Sequence, residues 1–261
     1  MKKKSIIILS LLACLTIFLN MRTTVYSGLN TVRSNYQVPL YSKIYRFIER
    51  HNNHQNLTNE IIPNNININS EKKILLVARW VDLNIKEVPK GVDIIDFHPW
   101  TVIERKMAVS EQFSDILSIL LVYAGIDSFW MFTRDNDKIG RNPLTLVKIE
   151  KNWTVIDPLY GLYFSCQNNE FCSISQLKKG GWQAKDFNQK IIDNNSLLKD
   201  LERKKGGGKN MSLLNYYNAA FLNIISEDKI LKMSRYDWHG RSLLQSPFPR
   251  LVYELRRLFK N

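Results

Sequence analysis

Residues 108–161 constrain this chain more than any other stretch, because their apolar spacing changes once, from helical to strand-like. Phe113, Ile116, Leu117, Leu120 and Ala124 recur at helical spacing, the mark of a helix that buries one face. Ser110 suits the N-cap of that helix, since its hydroxyl can accept an orphan backbone N–H of the first turn. Gly125 ends it. Residues 127–132 then read as a strand of aromatic and apolar side chains. Asn136-Asp137-Lys138-Ile139-Gly140 reads as a turn, Leu144, Leu146 and Ile149 as a second strand, and residues 153–156 as a third. The simplest architecture for this order is α+β, one helix packed on a small antiparallel sheet.

Charge narrows the partners. The 261 residues carry a formal net charge of +13, which points to something anionic. No zinc-finger spacing, RNP-type aromatic motif or Gly-rich phosphate loop is present, so no nucleic acid is expected and membrane or glycan ranks above it. No cofactor motif is present, and no set of His or Cys residues has the spacing of metal ligands. With 44% hydrophobic and 11% aromatic residues, the chain has ample material for a packed core.

The N-terminus gives a specific expectation. Lys2, Lys3 and Lys4 precede a mostly apolar run from Ser5 to about Met21, at the short end of what a membrane span needs. Residues 1–22 therefore read as a transmembrane anchor. Basic residues before the run predict a single-pass inner-membrane protein with its body extracytoplasmic or periplasmic. A cleaved signal peptide is the rival reading, but no A-x-A-like site follows. The apolar run continues past Cys14 through Leu19, so Cys14 reads as membrane-buried and not as a lipidation site. Outside the cytoplasm, Cys166 and Cys172 would meet oxidising conditions and could close a small disulfide loop. Two unpaired buried thiols are the alternative.

After the anchor, residues 23–70 read as a juxtamembrane segment and linker. Tyr41, Ile44, Tyr45 and Ile48 are spaced for one helix face, suited to a bilayer surface or to docking on the domain. Residues 51–70 are rich in Asn and read as a polar loop. A core domain is expected over 71–175, opening with a helix at 71–85. Residues 176–261 read as a basic, mostly helical extension, including apolar helix 213–225 and a basic amphipathic helix at 249–259.

Several short motifs in the core share one order. Trp80-Val81 and Asn84-Ile85 lie on the first core helix, and His98-Pro99-Trp100 precedes a short helical turn. Ala108-Val109-Ser110-Glu111-Gln112-Phe113 opens the long helix, Gly125-Ile126 closes it, and Trp153 stands four residues before Asp157-Pro158. This order resembles the core of the transglutaminase-like (papain-like cysteine protease) superfamily. The resemblance spans about residues 75–161 and rests on spacing and apolar pattern. It implies a nucleophilic Cys at the start of the long helix, then a His and an Asp on the following strands. The positions equivalent to that triad are Ser110, Asn142 and Asp157 here, so only the Asp keeps its type.

Those exchanges oppose catalysis. A serine hydroxyl needs a base to become a nucleophile, and Asn accepts no proton at neutral pH. The leading expectation is a pseudoenzyme: a membrane-anchored accessory protein of the cell envelope or of surface polysaccharide, holding a peptide, glycan or protein ligand. An acyl-transfer or amide-hydrolysing enzyme using Ser110 with a displaced base is the alternative. His98, followed by Trp100, is the secondary candidate for that base, and His239 lies further along. A surface scaffold binding anionic lipid or glycan is the third reading. His51 and His54 read as linker residues.

Overall fold

Alternate residues of the central strands face two different cores. Val147, Ile156 and Tyr163 join one apolar cluster, while Leu146, Val155 and Phe164 join another, as the two-residue period of a strand requires when both sheet faces are covered. The structure is a computed structural model describing residues 2–29, 32–63, 68–89, 91, 92, 94, 98–133, 142–166, 170–191, 213–224, 247–249 and 252. In chain order its elements are α1 (Lys2–Asn20), β1 (Arg22–Leu29), β2 (Val32–Pro39), α2 (Leu40–Ile61), α3 (Ser70–Asn84), β3 (Lys86–Glu87), α4 (Pro99–Arg105), β4 (Met107–Ala108), α5 (Ser110–Tyr123), β5 (Ser128–Thr133), β6 (Asn142–Ile149), β7 (Asn152–Asp157), β8 (Leu162–Ser165), α6 (Ile174–Lys179), β9 (Gln183–Asp186) and α7 (Leu213–Leu222). The chain is α+β.

The main sheet has five strands in the order β5-β6-β7-β8-β9, and every neighbouring pair is antiparallel. The three strands expected from sequence are its first three. On one face lies α5, whose residues from Gln112 to Leu121 are all buried. It is surrounded on its other sides by Ile74, Val77 and Val81 of α3 and by Val102 and Ile103 of α4. A helix covered all round carries apolar residues all round, which is why its pattern exceeds one amphipathic stripe. On the opposite face, Tyr217 and Phe221 of α7 pack with Trp182 and with Phe164 of β8.

Polar side chains fix how α5 sits on the sheet. The Ser114 hydroxyl donates to the Pro143 carbonyl (2.9 Å), and the Thr145 hydroxyl donates to the Ser114 carbonyl (3.1 Å). The Trp130 indole N–H donates to Asp115 Oδ1 (3.1 Å). Buried polar groups cost free energy unless paired, so these bonds select one register of helix on sheet.

The N-terminal region departs from the sequence expectation. Among the described residues no helix is long and apolar enough to cross a membrane. This corrects the transmembrane anchor over residues 1–22, and with it the single-pass inner-membrane placement with an extracytoplasmic or periplasmic body. Helix α1 does form, but residues 5–19, between Lys4 and Asn20, cover only ~22 Å at about 1.5 Å per residue, short of the ~30 Å hydrocarbon core. The next segment, the start of the expected juxtamembrane stretch, is a hairpin, with Arg22 opposite Pro39 and Leu29 opposite Val32. Helix α2 starts only after Pro39 and continues to Ile61, through the Asn-rich stretch read as a loop. His54 and Thr58 are buried, and Leu57 and Ile61 pack on the α5 core. Tertiary burial outweighs the modest helix propensity of Asn. Of the basic C-terminal extension, residues 192–212 and most of the expected 249–259 helix lie outside the described residues.

Candidate functional site

Ser110 is the first residue of α5, and the N-cap is Val109, one residue earlier than the sequence suggested. The neighbouring turn explains that shift. Gln112 Oε1 accepts from the Val109 N–H (3.1 Å) and from the Arg105 guanidinium (3.3 Å), and Arg105 Nε donates to the Met107 carbonyl (3.0 Å). Gln112 thus ties the chain entering α5 to the end of α4. The Ser110 hydroxyl donates instead to Glu111 Oε2 (3.0 Å). A carboxylate is far too weak a base to take a serine proton at neutral pH. This bond holds the hydroxyl in place without activating it.

Asn142 begins β6, where its backbone pairs with Thr133; its side chain lies outside the described residues. The Ser114–Pro143 bond, one residue on, brings this end of β6 beside the first turns of α5. Asp157 ends β7, one step beyond the Thr145–Ile156 pair, and so lies at the same end of the sheet. It is fully buried. Its Oδ1 accepts from the Tyr160 N–H (3.3 Å), and its Oδ2 accepts from the Tyr217 hydroxyl (2.9 Å). Burial, then the Asp157 charge, pushes the Tyr160 hydroxyl well above its usual pKa, and the same causes act on Tyr217. Both phenols therefore stay protonated at neutral pH, and that of Tyr217 serves as a donor, not a base.

The strand alternation separates these groups. Trp153 and Val155, which share a face with Asp157, pack with Tyr217 on the α7 side, whereas Phe113 and Ile116 of α5 pack on the other. The start of α5, the start of β6 and the end of β7 meet at one end of the sheet, but Ser110 and Asp157 each bond to other groups.

His98 is the N-cap of α4, where its Nδ1 accepts from the Trp100 N–H (3.2 Å). Trp100 donates its indole N–H to Glu104 (2.7 Å) and meets His54 edge-on at 5.1 Å. His54 in turn stacks on Tyr123, the last residue of α5, with rings 5° from parallel. His98 and Trp100 therefore belong with the C-terminal end of α5, while Ser110 is at its N-terminal end. His51 joins the same aromatic group, with Nδ1 3.1 Å from the Tyr123 hydroxyl. His51 and His54 lie on α2 and not on a linker. His239 lies outside the described residues. Cys166 and Cys172 form a disulfide across the turn after β8, flanked by the Cys166–Glu170 and Cys172–Phe164 backbone bonds.

Sequence reasoning missed Glu111 and Tyr217. Glu111 was visible as the next residue, but only the helix geometry turns its carboxylate onto Ser110. Tyr217 left no signal, because 60 residues separate it from Asp157.

No protein-family model matches the chain. No curated protein matches it either. Among solved structures, it is similar to a candidate cysteine protease from Cytophaga hutchinsonii, at 17% identity and a TM-score of 0.34, covering 49% of this chain and 50% of that one. It is also similar to a candidate protease from Parabacteroides distasonis, at 10% identity and a TM-score of 0.33, covering 67% of this chain and 40% of that one. The chain thus spans half or less of the length of either structure.

Proposed function

We propose that this chain is a non-catalytic, transglutaminase-like binding protein. In this reading it serves cell-envelope or surface-polysaccharide processes by holding a peptide, glycan or partner protein. The observation that carries the proposal is the disposition of the two triad-equivalent groups: the Ser110 hydroxyl is bonded to Glu111, and the Asp157 carboxylate to Tyr217 and Tyr160. Acyl transfer needs a base within reach of the nucleophile and a carboxylate that orients that base, and both groups are otherwise engaged.

A serine-directed fluorophosphonate tests this directly. The full chain and Ser110→Ala are expected to take up the probe equally and at background level, across pH 6–9. Labelling of the wild type that is lost in Ser110→Ala would overturn the proposal in favour of an acyl-transfer enzyme.

A further inference from the structure

Helix α2 is held to the body of the chain largely by polar and aromatic residues. Of its side chains only His54 and Thr58 are buried, and they lie one turn apart on the same face. Each leaves a polar atom unsatisfied: His54 Nε2 and Thr58 Oγ1 have no hydrogen-bond partner among the described residues. Such atoms oppose docking, since a buried polar group costs free energy unless it is paired. The apolar support is partial, from Leu57 and Ile61 at the edge of the α5 core, with Ile62 buried just past the helix end. In α5, by contrast, every residue from Gln112 to Leu121 is buried. The rest of the α2 contact passes through two imidazoles. His54 stacks on Tyr123 and meets Trp100 edge-on. The His51 ring centre lies 5.5 Å from that of Tyr123 and 4.6 Å from that of Phe248.

We propose that α2 is a proton-released strap: acidification frees its C-terminal half from α5 and α4, pivoting at Ile62, while the main sheet and its covering helices stay folded. The groups around His54 favour release. Its Nδ1 is committed to the Arg50 carbonyl (2.6 Å), so an added proton goes to Nε2, which has no acceptor within reach among the described residues. From α5 it meets Tyr123, whose hydroxyl burial pushes up to about 12, and from α4 it meets Trp100, so neither offers a negative charge at acid or neutral pH. Glu104 of α4 bonds to the Trp100 indole N–H at an exposed position. On α3, Glu71 feels Glu150 and Glu170, and Asp82 faces Gly161. The charges that act on His54 are those of Arg50 and His51, and both oppose a further cation. The Pro247-Phe248-Pro249 segment beside His51 has no titratable side chain. Burial lowers the docked pKa of His54 to about 4, against an ordinary value of 6.5 regained on release. One linked proton shifts the docked–released equilibrium about tenfold per pH unit between those values, and His51, lowered in the same direction, adds to it. Release uncovers Tyr123 and Trp100, at the opposite end of α5 from Ser110, so the strap stands independently of whether Ser110 reacts.

Hydrogen exchange of the full chain at pH 6.5 and pH 4.5, read by mass spectrometry and corrected for the intrinsic rate, tests the proposal. A helix without its docking surface is marginal in water, so the amides of a released α2 exchange. Local opening of this kind spares the elements that stay packed. Peptides from residues 50–61 are expected to lose about a hundredfold in protection over those two pH units, while peptides from α5 and β6 keep theirs. His54→Phe keeps an aromatic ring against Tyr123 and removes the titrating group, and it should abolish most of the loss. Equal loss in α2 and α5 would mean that the chain unfolds as one unit, and it overturns the proposal. So does protection of residues 50–61 that ignores pH, or a pH dependence unchanged in His54→Phe. Because α2 and α5 are compared within the wild type, the test decides even if the variant fails to fold.

Discussion

The Tyr217 hydroxyl donates a 2.9 Å hydrogen bond to Oδ2 of Asp157, a buried contact linking α7 to the end of β7. Both partners are fully buried. The Asp157 carboxylate thus serves to hold a helix against the sheet. Tyr217→Phe keeps the ring packed on Phe164 and Phe221 and removes only the hydroxyl. Leaving a buried carboxylate oxygen short of a donor costs about 1–3 kcal/mol, and urea unfolding should register that loss. Asp157→Asn should cost less, since its amide oxygen can still accept from Tyr217. If Tyr217→Phe is as stable as the wild type, the anchoring role of Asp157 is wrong.

Gly161 follows this corner with φ +65°, and a Cβ there would stand 3.0 Å from Asp82 Oδ1 on α3. Left-handed backbone costs a non-glycine residue about 1–2 kcal/mol, and the carboxylate must move as well. Gly125 has φ +79° with nothing within 4 Å of its Cβ position, so it isolates the backbone part. Gly161→Ala should therefore be more destabilising than Gly125→Ala in denaturant melts. Equal losses would mean that Asp82 yields freely.

The central elements were legible because their burial is periodic. α3, α5, the first three strands of the sheet and α7 each advertise a core face at the right spacing. The hairpin of β1 and β2 did not, since residues such as Thr23, Thr24, Ser34 and Asn35 give no apolar alternation. The second half of α2 was hidden by its Asn residues, whose helical state is set by contacts with α5. Of the candidate site, position and residue type singled out Ser110 and Asp157 only as candidates; their hydrogen-bond partners depend on which sheet face a side chain meets, and no spacing rule gives that.

The Cys166–Cys172 disulfide closes a loop of six-residue separation beside the α7-side core, with Cys172 fully buried. Chain-entropy reasoning assigns so short a loop about 2 kcal/mol. The backbone bonds flanking it survive reduction, so the fold should persist with a melting temperature lower by about 4–8 °C. Calorimetry with and without reductant checks this, with Cys166→Ser/Cys172→Ser as the non-reducible comparison. A melting temperature indifferent to reductant would show that the local hairpin suffices.

His54 makes stability depend on pH. Its Nδ1 lies 2.6 Å from the Arg50 carbonyl, so that nitrogen carries the proton, and its Nε2 is buried with no hydrogen-bond partner among the described residues. Burial first, then the charges of Arg50 and His51, lower its pKa to about 4, against the opposing bond to the Arg50 carbonyl. The ring is enclosed by Tyr123 and Trp100, neither of which carries charge at neutral pH. The folded pKa lies below the unfolded value of 6.5, so between the two the unfolded chain binds a proton that the folded chain refuses. Stability from this group is complete above pH 6.5 and falls as pH drops toward 4, by ~3 kcal/mol over the window at about 1.4 kcal/mol per unit. His51, lowered by partial burial, adds in the same direction. Urea midpoints at pH 7.5, 6.0 and 4.5 should fall steadily in the wild type and much less in His54→Phe, which keeps an aromatic ring against Tyr123. Parallel pH profiles for the two proteins would remove His54 as the cause.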